Sequence, residues 1–152
     1  MKRILFIVVL TSLSAIGAAA ADPDDTPPQI RSPKDGQSVG AEGDRTCVKP
    51  SEPRYRIRVE GWVADQRTPF FAVEPLAVGP RMWIQPAIHG VRADGTFSGM
   101  VYLGTKTEGV GEQFKLYLFA CADPQRYREK EEVLAFAKDC QVSAPVEITR
   151  ER

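Results

Sequence analysis

The stretch Arg54-Tyr55-Arg56-Ile57-Arg58-Val59-Glu60-Gly61-Trp62-Val63-Ala64 decides the fold class of this chain. Tyr55, Ile57, Val59, Gly61 and Val63 fall on one side of an extended backbone, and Arg54, Arg56, Arg58, Glu60 and Trp62 on the other. Successive side chains leave a strand on opposite faces, so a period of two predicts a strand with one buried and one wet face. The same alternation recurs at Thr96–Leu103, where Phe97, Gly99, Val101 and Leu103 oppose Thr96, Ser98, Met100 and Tyr102. Gln113–Cys121 alternates too but is apolar on both sides, as expected of a central strand covered on both faces. Val142, Ala144, Val146 and Ile148 oppose Gln141, Ser143, Glu147 and Thr149 in a final strand. Pro145 has no N–H for a central ladder, which predicts an edge position there.

Turn chemistry fills the gaps. Pro33-Lys34-Asp35-Gly36 suits a β-turn between two short strand pieces, Ile30 lying before it and Val39 after it. Ala93-Asp94-Gly95 marks a second turn, just ahead of the Thr96 strand. Phe70–Val78 reads as a strand that Pro75 turns into an edge or a bulge, with Met82–Gln85 as its hairpin partner. After Cys121 the period changes. Asp123 suits an N-cap and Pro124 a first helical residue, and Tyr127, Lys130, Leu134 and Ala137 follow helical spacing. This predicts a helix over Pro124–Lys138. About seven strands, with one helix between the last two, predict an all-β, two-sheet antiparallel β-sandwich.

The start of the chain carries a different signal. Lys2 and Arg3 precede an apolar run, Ile4–Ile16, and the small residues Gly17–Ala21. This is the pattern of a cleaved signal peptide over residues 1–21. The run is shorter than the roughly 20 residues a membrane-spanning helix needs. A short Pro-rich arm, 22–28, and one domain, 29–152, follow. The expected location is periplasmic or secreted. No second long apolar run follows, so no membrane insertion is expected after cleavage. The full chain has 20 basic and 20 acidic side chains. Losing Lys2 and Arg3 leaves a formal charge of about −2, which argues against nucleic acid as a partner.

Three cysteines remain beyond the leader: Cys47, Cys121 and Cys140. A closed zinc site needs four ligands, and the chain has one histidine, His89, and no Cys-x-x-Cys pair. No metal or cofactor is expected. Cys121 ends one strand and Cys140 begins the next. If those strands are antiparallel neighbours the two cysteines share one end of the sandwich, which predicts a Cys121–Cys140 disulfide with Cys47 left over.

Several stretches together resemble a family of prokaryotic immunoglobulin-like β-sandwich modules. They are Ile30-Arg31-Ser32-Pro33-Lys34-Asp35-Gly36 with Val39, Val59-Glu60-Gly61, and Trp83 with Gln85-Pro86, where the family more often has an aromatic followed by Pro-Gln. Asp94-Gly95-Thr96-Phe97-Ser98-Gly99-Met100-Val101-Tyr102-Leu103-Gly104 is the strongest match, followed by Phe114-Lys115-Leu116 and Asp123. The resemblance implies an immunoglobulin-like fold and a spacer or binding role, with no catalytic residues to carry over. The three cysteines, and a module standing alone, depart from the family pattern and weigh against a mere spacer.

The chemical candidates are few. His89 sits beside Gly90 without a nucleophile motif nearby. Glu129, Glu131 and Glu132 mix with Arg126, Arg128 and Lys130 as on a solvated helix face. Trp62 is a flat aromatic on the polar side of its strand, beside the basic stripe Arg54, Arg56 and Arg58, and this set is the candidate binding surface. Its parity keeps Trp62 out of the main core. Trp83, between Met82 and Ile84, reads as core packing. The expected function is a non-enzymatic domain that binds a protein partner. The alternatives are a carbohydrate- or envelope-polymer-binding module using Trp62 and the arginine stripe, and a small hydrolase with a dispersed carboxylate site.

Overall fold

Strand β4 (Arg54–Trp62) is the centre of a four-stranded antiparallel sheet. In this computed structural model, which describes residues 26–44, 53–64 and 67–152, β4 pairs on one side with both β1 (Gln29–Ser32) and β3 (Glu42–Asp44). Its other side pairs with β7 (Thr96–Tyr102) along seven residues, from Arg56↔Tyr102 to Trp62↔Thr96. The second sheet runs β2 (Gln37–Gly40), β11 (Val146–Glu151), β8 (Gln113–Cys121), β5 (Pro69–Pro75), β6 (Met82–Ile84) and β9 (Glu132–Val133). Strand β10 (Cys140–Val142) also pairs with β8. The protein is therefore all-β, with two sheets in a sandwich-like arrangement. The leader, residues 22–25 of the arm, and Cys47 lie outside the described residues.

The alternations place the first core. Ile57 and Val59 of β4 and Phe97 and Val101 of β7 are buried, and they pack with Phe71 and Val73 of β5 and Leu116 and Leu118 of β8. Burying one such side chain stabilises the fold by about 1.5–3 kcal/mol. A second core lies on the opposite face of β5 and β8: Phe70, Ala72, Met82, Ile84, Phe119, Cys121 and Tyr127. The double-sided pattern of β8 is thus a true central strand with a core on each face.

Turn chemistry joins the sheets. Gly36 has φ +74°, and its N–H donates to the Glu147 carbonyl at 2.8 Å. The Asp35 carboxylate accepts from the Glu147 N–H at 2.8 Å. The turn hands the chain from β1 in one sheet to β2 in the other, where β2 runs parallel to β11.

Three expectations require correction. Residues 124–138 form no α-helix. The start signals do act locally: the Asp123 side chain accepts from the Gln125 N–H, and Pro124–Arg126 makes one 3₁₀ turn. The chain then returns to extended backbone at Tyr127 and takes φ +68° at Lys130. Lys130 N–H donates to the Ile84 carbonyl, Ile84 N–H donates to the Glu131 carbonyl, and β9 pairs with β6. The open edge of β6 uses the backbone groups that a helix would have paired internally. Leu134, placed on the helical stripe by spacing, is 72% exposed, while Phe136 packs against Phe119 in a tilted ring pair with centroids 4.8 Å apart.

The final strand is broken, and its two pieces differ: β11 lies inside the sheet, whereas β10 has β8 as its one strand neighbour among the described residues. Strands β10 and β11 both pair with β8, and β11 also pairs with β2. Ser143-Ala144-Pro145 forms the break between them. Ser143 N–H donates to the Leu118 carbonyl, and its hydroxyl accepts from the Leu118 N–H. Ser143 thus satisfies both backbone groups of Leu118 where the ladder slips, its N–H serving the carbonyl and its hydroxyl oxygen the N–H. Like β11, β5 is not an edge strand. It lies between β8 and β6, and Pro75 is its last residue.

Cys121 and Cys140 are direct cross-strand partners, 4.1 Å apart at Cα, and form a disulfide, as their positions at the strand ends predict. An intramolecular disulfide is consistent with an extracellular or periplasmic protein.

Candidate functional site

The four binding candidates lie along β4 but do not form one surface. Trp62 and Arg54 are eight residues apart, or about 27 Å at strand rise. Trp62 lies outside both cores, on the face opposite Val59, and its indole N–H donates to the Asp94 carbonyl at 2.9 Å. The Asp94 carboxylate accepts from both the Thr96 N–H and the Thr96 hydroxyl, at 2.9 and 2.6 Å. These bonds, the hydroxyl bond first, hold the Asp94 carboxyl below its ordinary pKa. Gly95 has φ +78°, and a Cβ there would stand 2.2 Å from the Val63 carbonyl oxygen. The Asp-Gly-Thr motif therefore closes one end of the four-stranded sheet against Trp62.

At the other end the arginines have partners. Arg56 donates to Asp44 at 3.0 Å, and the Tyr102 hydroxyl donates to the same carboxylate oxygen at 2.9 Å. Asp44 is buried, so this pairing offsets the desolvation of its charge. Arg54 lies over the Tyr102 ring at 5.6 Å and 3.9 Å from Glu129. Arg58 is exposed between these ends. The structure gathers Arg54 and Arg56 around Tyr102 and leaves Arg58 and Trp62 apart from them.

A groove opens where the end of β7 meets the segment after β6. Gln85 is buried, and its side-chain oxygen accepts from the Tyr102 N–H at 2.9 Å, joining the two sheets at this point. Trp83, Gln85, Tyr102 and Gly104 belong to both halves of the groove. One half, of about 220 Å³, adds Arg54, Glu129 and Lys130. The other, of about 230 Å³, has Val73, Leu103 and Phe114 in its floor and Glu108 and Glu112 in its walls. Sequence reasoning missed this groove. Its signal was the parity of Met82-Trp83-Ile84: Met82 and Ile84 are buried in the second core, so Trp83 points to the other side.

Arg150 shapes one wall. Its side chain is fully buried, and the guanidinium donates to the carbonyls of Leu103, Thr105 and Glu108 and lies 4.9 Å from the Tyr55 ring. Burial pushes its pKa down, against the raising influence of Tyr55 and Glu112. Three carbonyl oxygens on one planar fork fix the loop after β7 more tightly than neutral bonds would. Gly104 and Gly109 let the loop approach, since a Cβ on either would come within 3.3 Å of Arg150 Nη1.

The remaining candidates lie elsewhere. His89 lines a separate depression beside Arg92. Glu129 faces Arg54 and Lys130, Glu132 faces Arg81, and Glu131 accepts from the Arg128 N–H. The three carboxylates have different partners instead of sharing one cleft. Among the described residues, no group of three or more His, Cys, Asp or Glu is placed to hold a metal ion. The fold and groove define a sandwich-like all-β protein with an intramolecular disulfide and an aromatic cleft at one edge. Comparison with protein-family models, with curated proteins and with solved structures finds no match.

Proposed function

We propose that this is a secreted or periplasmic, non-enzymatic domain with an immunoglobulin-like sandwich, and that it binds a protein partner through the Trp83–Tyr102 groove. One observation carries the reading. Two aromatic side chains stand in an open cleft whose wall is held by the buried Arg150, so the surface is preorganised. Aromatic anchors on a rigid wall bind with little loss of conformational entropy. The immunoglobulin-like part rests on the motif matches and on the first strand's division between sheets, with β2 parallel to β11. Export rests on the leader pattern and the disulfide. The Trp62–arginine surface has less support, since Trp62 is bonded at the far end of β4 and Arg56 is paired with Asp44.

Site-specific photo-crosslinking tests the reading. A photoreactive residue at position 83 or 129 should capture a discrete protein from the cell envelope, and one at position 58 should not. Equal capture at all three positions, or none, would refute it. N-terminal sequencing of the exported protein tests the leader, with a start near Asp22 expected. An experimental structure tests the strand arrangement.

A further inference from the structure

We infer that the groove takes an extended peptide segment of its partner carrying an acidic residue, an apolar anchor and a basic residue. The inference rests on the protein-partner reading and names the chemistry that the groove would recognise.

The charges of the two halves differ in sign. Among the described lining residues, the first half has Arg54 and Lys130 against Glu129, a formal +1. The second has Glu108 and Glu112 and no lining cation, a formal −2. Glu129 lies 3.9 Å from Arg54 and 3.8 Å from Lys130, so one carboxylate is shared by two cations and one positive charge is left over. An acidic group seats on the first half and a basic group on the second. Arg150 lies behind the loop and is engaged by three carbonyls, so it organises the second half without presenting its charge there.

Between the halves stand Trp83 and Tyr102, and beneath the second lie Val73, Leu103 and Phe114. That floor takes an aliphatic or aromatic side chain. A charged polysaccharide repeats one sign of charge along its length and carries no such side chain. A peptide carries both signs and an apolar anchor within a few residues. Charge complementarity across adjacent cavities also fixes the direction in which the segment lies, because the reversed segment places like charges together.

The test uses fluorescein-labelled synthetic hexapeptides and the exported protein with its disulfide intact, read by fluorescence anisotropy. Two peptides place Leu between Asp and Lys, one in each order. Two more carry Asp at both positions or Lys at both, and a fifth replaces Leu by Gly. We expect one Asp/Lys order to bind at least about tenfold more tightly than the other four peptides. Raised salt should weaken it. The Trp83→Ala variant should lose about tenfold. The double variant Glu108→Lys/Glu112→Lys, on exposed side chains, should shift preference to the all-Asp peptide. A melting curve for each variant shows that it is folded. Equal binding of both orders, or tighter binding of an acidic oligosaccharide such as oligogalacturonate, overturns the inference. If no peptide binds while position 83 still crosslinks to a protein, the inference fails and the protein-partner reading stands. If crosslinking fails as well, both fall.

Discussion

The two faces of β8 are covered in different ways. On one face Leu116 and Leu118 meet a second sheet, whose strand β7 is hydrogen-bonded to β4 along its whole length. On the other, Phe119 and Cys121 meet an irregular segment, 122–139, with only two residues in a strand. The first cover is a lattice of backbone bonds. The second depends on a few attachments: the disulfide, the β6–β9 pairing, and Tyr127, whose ring lies 5.0 Å edge-on to Phe119 and whose hydroxyl accepts from the Ala137 N–H. Both covers bury apolar side chains, but the second is tied to the sheet by fewer backbone bonds. A cover with few bonds opens locally at a lower free energy than the global unfolding step.

That contrast can be broken most forcefully in the first core. Phe71→Ala removes a fully buried ring packed against Phe97 and should cost about 3–5 kcal/mol, read as a lower urea midpoint. The loss should appear in all probes together, because the sheet-on-sheet core unfolds as one unit. Separate transitions for β4 and β8 would contradict this.

Cys121→Ser with Cys140→Ser should cost about 3 kcal/mol in the chain-entropy account for a loop of 19 residues. Here the response should be uneven. Amide exchange should accelerate first in 123–139 and least in β4 and β7. Uniform acceleration would show that the segment is not a separate cover.

A smaller effect is expected from Tyr127→Phe, which keeps the ring on Phe119 and removes the acceptor for Ala137 N–H. The cost should be about 1 kcal/mol, with faster exchange confined to the neighbourhood of Ala137. Exchange unchanged at Ala137 would argue that this bond does not hold the cover.

The smallest effect concerns Tyr117, at the border of the second core. Its hydroxyl donates to Glu74 at 2.8 Å, and burial first, then the Glu74 bond and charge, push its pKa up to about 12 from 10. The folded state thus favours the neutral phenol. This stabilisation is fully present below pH 10 and is lost as the pH rises through about 12. Solvent near the hydroxyl screens it to a fraction of the Tyr127 effect. Ultraviolet titration should show a phenol ionising near pH 12 that disappears in Tyr117→Phe. A titration curve unaltered by that substitution would refute the assignment.

Local pattern carried a good deal. The parity of Ile57 and Val59 against Arg58 and Glu60, and of Phe97 and Val101 against Ser98, placed each residue on its observed face. Asp35-Gly36 and Asp94-Gly95 turn where their chemistry requires. Each of these depends on neighbours within a few residues, so sequence alone suffices. The candidate site was less legible. Trp83 and Tyr102 lie nineteen positions apart in different sheets, and their meeting depends on Gln85 bridging the sheets. Arg150 had no local signal, because its three acceptors lie more than 40 residues away.

The sequence by itself determined which side of each strand a residue takes and where the main turns fall, because period and turn residues are local properties; the meeting of Cys121 and Cys140 was conditional on their strands being neighbours, and the pairing of β10 with β8 met that condition. Only the tertiary structure decided the fate of residues 124–138. Their caps and spacing favour a helix by amounts of a few tenths to about one kcal/mol per residue or cap. The open edge of β6 and the bare aromatic face of β5 and β8 offered hydrogen bonds and burial of Tyr127 and Phe136 together, and that larger sum drew the segment into a cover.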